Sequence, residues 1–333
     1  MLSYRKLAVR VLGRPLHTGG IDSPRPASQR AAALVLTAAL LTGAAFPAFA
    51  DTYYIENGDI TISAGESGND VTQNNVTTKN DTNTIITNQK TDTASSHTVT
   101  IDAEDHKVEV TLDNVNIKAD SGSALTSIGD VTLTLKGENH LTGGNGSGDS
   151  GISSSGSLTI SGGENDSLTA QGGSGGDVIY GGDGITSSGS LTISGGTVTA
   201  TGGNSTDSVG SGGSGIYSVS GDVTISGSST VTANGGSGTI SGGSGIYSVS
   251  GDVTISGGTV TANGGSGKDG HGGYGISSSD VAISGGTVNA NGGDCKDGYG
   301  GNGISSSSGV AISGGTVKAA GGNGKDGSGG NGI

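Results

Sequence analysis

Residues 246–263 read IYSVSGDVTISGGTVTAN, and this stretch decides the fold. Its β-branched residues alternate with small polar residues, as at Val253 and Ile255, and glycines follow each run. A period of two between glycine turns predicts short β-strands with one buried face. The 3.6-residue period of an amphipathic helix is absent from this stretch, which therefore favours an all-β structure.

The same unit recurs along most of the chain. A Gly-Ile pair returns every 28–33 residues, with its isoleucine at Ile152, Ile185, Ile216, Ile246, Ile276, Ile304 and Ile333. One unit holds too few apolar residues to bury a core alone, so the units must stack as a solenoid. We predict a parallel β-helix with coils of about 28–33 residues, three short strands per coil, and every strand parallel to its neighbours.

Residues 1–50 have the features of a secretory signal peptide. Basic residues precede an apolar run at 31–45, and Ala48-Phe49-Ala50 places small residues before a cleavage site. The alternative is an uncleaved membrane anchor. No second apolar run follows, so we expect a mature chain without a membrane span, secreted or held at the bacterial cell surface.

The rest of the chain divides into two parts by regularity. Residues 51–107 are rich in Asn, Thr and Asp and are expected to form an N-terminal cap with irregular coils. The repeats occupy residues 108–333, and Ile333 falls in mid-coil. An open last coil would expose a ladder edge, so we expect further sequence to follow it. The glycine-rich segments between coils need their own stabiliser or remain mobile.

Composition excludes several classes of protein. The chain has 70 glycines in 333 residues, but neither the glycine period nor the proline content of collagen. After residue 50 it has nine lysines, no arginine and 28 acidic residues, which argues against nucleic-acid binding. The acidic residues recur singly instead of in catalytic pairs, and no nucleophile triad or metal-hydrolase spacing is present. We therefore expect no enzymatic activity.

Two tyrosines are the candidate ligand-binding residues. Tyr217 and Tyr247 each follow the inward isoleucine of a coil, so both should point outward at the same place in adjacent coils. An exposed aromatic pair can stack against a sugar ring. The alternative is a tyrosine ladder that only stabilises neighbouring coils. Three loop tyrosines are placed to extend such a platform: Tyr180, Tyr274 and Tyr299.

The order of several segments resembles a known family. The runs VTLDNVNI at 110–117 and VTLTLKGEN at 131–139, then Gly151-Ile152 and SLTISG at 157–162, are similar to secreted bacterial carbohydrate-binding domains of the pectate-lyase-like right-handed β-helix type. That resemblance covers residues 55–333 and implies binding of cellulose or acidic plant polysaccharides, calcium sites and no catalysis. Pectate lyases of this fold use an arginine base, and the mature chain has no arginine.

Two functions follow as hypotheses. The first is an exported, non-catalytic polysaccharide-binding protein at the bacterial surface. The second is a structural adhesin or spacer whose solenoid projects another module and binds no sugar. Depletion of the protein by insoluble cellulose and pectin would separate them.

The loops also resemble the RTX calcium β-roll. Gly-Gly-x-Gly-x-Asp recurs at 172–177, 264–269 and 321–326, and at 292–297 Cys295 replaces the glycine at the fourth position of the motif. The resemblance implies possible Ca²⁺ binding by glycine-turn carbonyls and an aspartate. Lysines precede three of these aspartates and are an alternative source of neutralising charge. The candidate calcium ligands are Asp177, Asp269, Asp297 and Asp326.

Overall fold

The computed structural model describes residues 51–174 and 179–333, with the backbone alone at Asp326. The predicted signal peptide and Asp177 lie outside the described residues. The described part contains two short 3-10 turns, Ile55–Asn57 and Lys325–Gly327, and otherwise only strands and loops. The strands are β1 Thr52–Tyr54, β2 Ile60–Ala64, β3 Asn69–Gln73, β4 Val76–Asp81, β5 Thr84–Thr87, β6 Val99–Asp113, β7 Asn116–Lys118, β8 Leu125–Lys136, β9 Glu138–Thr142, β10 Ile152–Ser154, β11 Leu158–Gly162, β12 Ser167–Gln171, β13 Ile185–Ser187, β14 Leu191–Ile193, β15 Thr197–Thr201, β16 Ile216–Ser218, β17 Val223–Ile225, β18 Thr230–Asn234, β19 Ile246–Ser248, β20 Val253–Ile255, β21 Thr259–Asn263, β22 Ile276–Ile283, β23 Thr287–Asn291, β24 Ile304–Ile312 and β25 Thr316–Ala320.

These strands wind into a parallel β-solenoid of about nine turns of roughly 29 residues, which confirms the predicted fold class. The first two strands of each coil lie in a 17-stranded sheet, and the third lies in an 8-stranded sheet. In β6, β8, β22 and β24 the first two strands run on as one through the corner. Parallel pairing places one residue of each coil above the next, in the column Ile60, Val99, Leu125, Ile152, Ile185, Ile216, Ile246, Ile276 and Ile304.

The interior consists of aliphatic columns. Val231, Val260 and Val288 lie in register on the 8-stranded sheet and are at most 1% exposed. Each valine is covered by the coils on either side, so burial of one coil depends on its neighbours. A glycine with positive φ, such as Gly258 at 77°, turns the chain into this sheet.

One polar side chain replaces a core valine or leucine. Asn139 is fully buried at the position that Leu168 occupies in the next coil. Its Oδ1 accepts the Val115 amide at 2.9 Å, and its Nδ2 donates to the carbonyls of Lys136 at 3.2 Å and Ser167 at 3.1 Å. All of these polar groups are satisfied, so the asparagine ties three coils together without an unpaired donor.

The N-terminal end departs from the parallel rule. β2 pairs antiparallel with β3, and β3 pairs antiparallel with β4, so the prediction that every strand is parallel is wrong for 60–81. Asn74 and Asn75 have φ of 53° and 62°, which is the type I′ geometry of a two-residue hairpin. β2 also pairs in parallel with β6, whose register with β8 starts at Val99. That pairing runs from Val99 to Asp102 and resumes at Lys107 after a shift in register.

The glycine-rich segments form a second stack beside the strands, which we call the glycine stack. It consists of the paired glycines on the outgoing and returning legs of the loops. Gly243 on a returning leg donates to Gly236 on the outgoing leg at 2.8 Å, and Gly265 of the next coil donates to Gly243 at 2.7 Å. The same alternation runs from Gly173 to Gly330, one bond per leg. These backbone bonds are the stabiliser that the loops require.

Side chains have no room inside the glycine stack. A Cβ on Gly243 would lie 1.9 Å from the carbonyl oxygen of Gly213, and one on Gly236 would lie 2.0 Å from that of Gly203. Atoms never approach so closely, so both legs require glycine for contact between backbones. On the returning legs every third residue carries a side chain, which is the three-residue spacing of a polyproline-II helix.

Candidate functional site

The two candidate tyrosines lie side by side on the outer surface. Tyr217 of β16 and Tyr247 of β19 are register partners, and each is flanked by a buried isoleucine and a buried serine. Their ring centroids are 5.6 Å apart with 47° between the planes. Both side chains are half-buried. Because the rings are tilted, a sugar ring can stack flat on only one of them while the other contacts its edge.

Two valines extend this apolar surface. Val219 and Val249 come two residues after the tyrosines and are 36% and 43% exposed. Their amides continue the ladder to the carbonyls of Ser187 and Ser218, both at 2.9 Å, so the valines share the outer face with the tyrosines. We call Tyr217, Val219, Tyr247 and Val249 the tyrosine patch. Threonine and serine occupy these positions in the coils on either side, so the patch is confined to two coils.

A carboxylate lies at the rim of the tyrosine patch. Asp183 accepts the Ser214 amide at 2.6 Å through Oδ1 and the Thr186 hydroxyl at 2.9 Å through Oδ2. Thr186 is the register partner of Tyr217 in the preceding coil. Burial raises the pKa of Asp183 to about 6, against the lowering effect of these two hydrogen bonds. Burial, and then the charge of Asp183, raises the pKa of Tyr217.

A second aromatic pair lies on the loops. His271 and Tyr299 stack with centroids 5.5 Å apart and planes 19° apart. They belong to one column of bridges along the returning legs that also holds Tyr180, Ser211 and Ser241. Tyr180 and Tyr299 are 62% and 61% exposed, and Tyr274 is 38% exposed. Of the loop tyrosines, Tyr299 therefore joins a stack with His271, a pairing that the sequence did not predict.

The candidate calcium residues lie at the loop tips, next to lysines. Lys268 Nζ is 3.7 Å from Asp269 Oδ2, and Lys325 Nζ is 3.6 Å from Asp297 Oδ1. The Lys268 carbonyl accepts the Asp297 amide at 2.7 Å, and the Thr239 carbonyl accepts the Asp269 amide at 2.9 Å. Calcium prefers six to eight oxygen ligands. Asp269 and Asp297 lie beside ammonium groups, which are the alternative source of neutralising charge named in the sequence analysis.

Metal ligands do not cluster in residues 51–174 and 179–333. No group of three or more His, Cys, Asp or Glu side chains gathers in them. Cys295 is 4% exposed, with its Sγ 3.5 Å from the Lys268 carbonyl oxygen. Calcium binding by the four aspartates remains a prediction, because Asp177 and the side chain of Asp326 are not described.

The sequence analysis did not single out Asp183, Val219, Val249 or the His271–Tyr299 stack. Two signals were present. Asp183 directly precedes a Gly-Ile pair where the next two coils have serine, and the segment Ile-Tyr-Ser-Val occurs at both 216–219 and 246–249.

Comparison with known proteins adds no relative. No family model matches the chain, and neither a curated protein nor a solved structure matches it. Among the described strands and loops, no helix has the length and apolarity needed to cross a membrane.

Proposed function

We propose that this chain is an exported, non-catalytic protein that binds polysaccharide at the bacterial surface through the tyrosine patch. The observation that carries the proposal is the apolar surface of Tyr217, Val219, Tyr247 and Val249 with the Asp183 carboxylate at its rim. In the coils on either side the same outward positions hold threonine and serine, so the patch differs in chemistry from its surroundings.

The chemistry of the patch suits a sugar. A pyranose has an apolar face of C–H groups that packs on an aromatic ring, and hydroxyls at its edge that need hydrogen-bond partners. Tyr217 and Tyr247 offer the rings, and Asp183 with Thr186 offers oxygens beside them. The resemblance of the sequence to secreted bacterial carbohydrate-binding domains supports the same proposal.

The lack of a second catalytic group supports a non-catalytic function. Glycoside hydrolysis generally needs two carboxyl groups about 5–10 Å apart. The pKa of Asp183 is raised by burial and lowered by hydrogen bonds, and no second acid in the described part contributes. The raised value therefore reflects desolvation of a single carboxyl group and needs no catalytic pair.

A second candidate, a spacer or adhesin without sugar binding, is favoured by the glycine stack. Backbone bonds join every loop to the coils on both sides from Gly173 to Gly330, parallel to the strand ladders. Such double support makes the solenoid stiff along its axis, which suits a projecting stalk. In this case Tyr217 and Tyr247 act only as a cross-coil ladder.

Depletion from solution tests the proposal. The purified protein is mixed with insoluble cellulose, with cross-linked pectin and with an inert bead of equal surface area, and the unbound fraction is measured. We expect the protein to disappear from the supernatant over one of the polysaccharides and to remain in the supernatant over the inert bead. Equal recovery over all three solids would refute polysaccharide binding and leave the spacer function.

A further inference from the structure

Asp183 brings a charge to one rim of the tyrosine patch. Ser150, Ser214 and Ser244 occupy its place in neighbouring coils, so this coil alone presents a carboxylate there. Asp183 is half-buried, and its contact with Thr186 holds it against the strand that carries the partner of Tyr217. A ligand that lies on Tyr217 therefore meets this carboxylate.

The hydrogen bonds of Asp183 leave acceptor capacity free. An ionised carboxylate has about four lone-pair positions and no donor. The Ser214 amide and the Thr186 hydroxyl use two of them. The remaining lone pairs need a ligand group that carries a proton, such as a sugar hydroxyl. A uronate carboxylate on a ligand has no proton to donate and carries the same charge.

No cation offsets this charge in the surrounding sequence. Residues 137–267, which include the whole patch, contain nine Asp or Glu and no Lys or Arg. The charge of Asp183 acts on the Tyr217 hydroxyl, and the Asp149 carboxylate is bound to the amides of Gly122 and Gly146. Like charges repel more strongly where water is partly excluded, so the rim opposes an anionic ligand.

We infer that Asp183 is the specificity-determining residue of the tyrosine patch, which accepts hydroxyls of a neutral polysaccharide and excludes chains of uronic acid. This inference rests on the proposed polysaccharide-binding function and selects one of its two substrate classes. Asp183 acts on the ligand directly, through one carboxylate at a fixed place beside Tyr217.

The exclusion should depend on pH. Burial raises the pKa of Asp183 to about 6, so the carboxyl is mostly protonated at pH 5 and ionised at pH 8. Uronate carboxyls are ionised at both values, because carboxyls of this kind titrate near pH 3–4. Protonated Asp183 no longer repels them and can donate one hydrogen bond. Binding of an acidic polysaccharide should therefore strengthen between pH 8 and pH 5.

The test measures binding of the full chain to cellulose and to cross-linked polygalacturonate at pH 5 and pH 8, with chelator present. We expect binding to cellulose at both pH values, and binding to polygalacturonate at least tenfold weaker at pH 8 than at pH 5. Asp183→Asn should bind polygalacturonate equally at both pH values. Glu164→Gln is the matched control, since it removes one charge from an exposed turn between the second and third strands of its coil.

The outcomes separate the inference from the function on which it rests. Wild-type protein that binds polygalacturonate as tightly as cellulose at pH 8 would overturn the inference and keep polysaccharide binding. Equal gains from Asp183→Asn and Glu164→Gln would also overturn it, because net charge would then explain the selectivity. Failure of every variant to bind either solid would instead refute the proposed function.

Discussion

Gly243 and Gly236 face each other across the base of one loop, where the Gly243 amide donates a 2.8 Å hydrogen bond to the Gly236 carbonyl. Their counterparts in other coils repeat this contact, so hydrogen bonds between backbone atoms hold the base of each loop. The glycine content of this chain is thus a packing requirement as well as a source of turns. The same contact explains why the loops can follow the solenoid with so few apolar side chains.

Alanine at Gly243 should be strongly destabilising. The new Cβ would lie 1.9 Å from the Gly213 carbonyl oxygen, so two legs must separate and their hydrogen bonds break. We expect a loss of about 3 kcal/mol or more in the free energy of unfolding, measured by denaturant titration. Gly309→Ala is the control, because its Cβ meets only the Asp280 carboxylate at 3.7 Å. Similar losses in the free energy of unfolding for the two variants would contradict the tight backbone packing of the glycine stack.

Asn139→Leu should destabilise the protein although leucine occupies the same position in the next coil. The change leaves the buried Val115 amide without its acceptor and removes one donor from each of the Lys136 and Ser167 carbonyls. The Lys136 carbonyl keeps its bond from the Asn114 amide at 3.0 Å. We expect a loss of about 2–4 kcal/mol in denaturant unfolding. Leu168→Val, a smaller change at the equivalent position, should cost about 1 kcal/mol. A neutral or stabilising Asn139→Leu would show that these hydrogen bonds contribute little.

The double variant Tyr217→Ala with Tyr247→Ala should lose polysaccharide binding by at least tenfold and keep most of its stability. The two rings are only half-buried, and cross-strand aromatic pairs contribute roughly 0.2–1 kcal/mol. Binding is measured on a polysaccharide column, and stability by the melting temperature. Tyr54→Ala removes an exposed ring outside the patch and is the control. Unchanged retention together with a clear fall in melting temperature would favour the stabilising ladder.

Asp183 should make stability fall as pH rises from 4 to 7. Its pKa in the folded protein, about 6, lies above the ordinary 3.8, so folding favours the protonated form. The stabilising contribution is complete below about pH 4 and is lost as pH rises through 6. Asp183→Asn should therefore be about 1–3 kcal/mol more stable than wild type at pH 8 and similar at pH 4. Parallel stability curves for the two proteins would contradict this.

Calcium is tested by thermal melting. If the loop aspartates bind Ca²⁺, millimolar calcium should raise the melting temperature and chelator should lower it, because a ligand of the folded state stabilises it. Lys268→Gln with Lys325→Gln should increase the shift, since these ammonium groups compete for Asp269 and Asp297. Identical melting curves in calcium and chelator, for wild type and variant, would refute calcium binding.

The sequence alone was sufficient for the strands and for the outward positions of the tyrosines. Val253 and Ile255 alternate with polar residues, and alternation sets which side chains face the core of a parallel stack. The regular spacing of the Gly-Ile pairs then placed Tyr217 next to Tyr247. Both inferences rest on a local periodicity that repeats from coil to coil and is visible in the sequence itself.

The tertiary structure alone decided three features. The antiparallel pairing of β2 with β3 and of β3 with β4 forms two hairpins, and the Asn74-Asn75 turn closes the second. Contact between Gly243 and Gly213 joins residues in different coils. Glycine has no side chain, so no pattern of side chains in the sequence indicates this contact. The environment of Asp183 comes from Ser214 of the next coil and from burial. Desolvation and long-range backbone contact depend on three-dimensional proximity, which the periodicity of the sequence does not record.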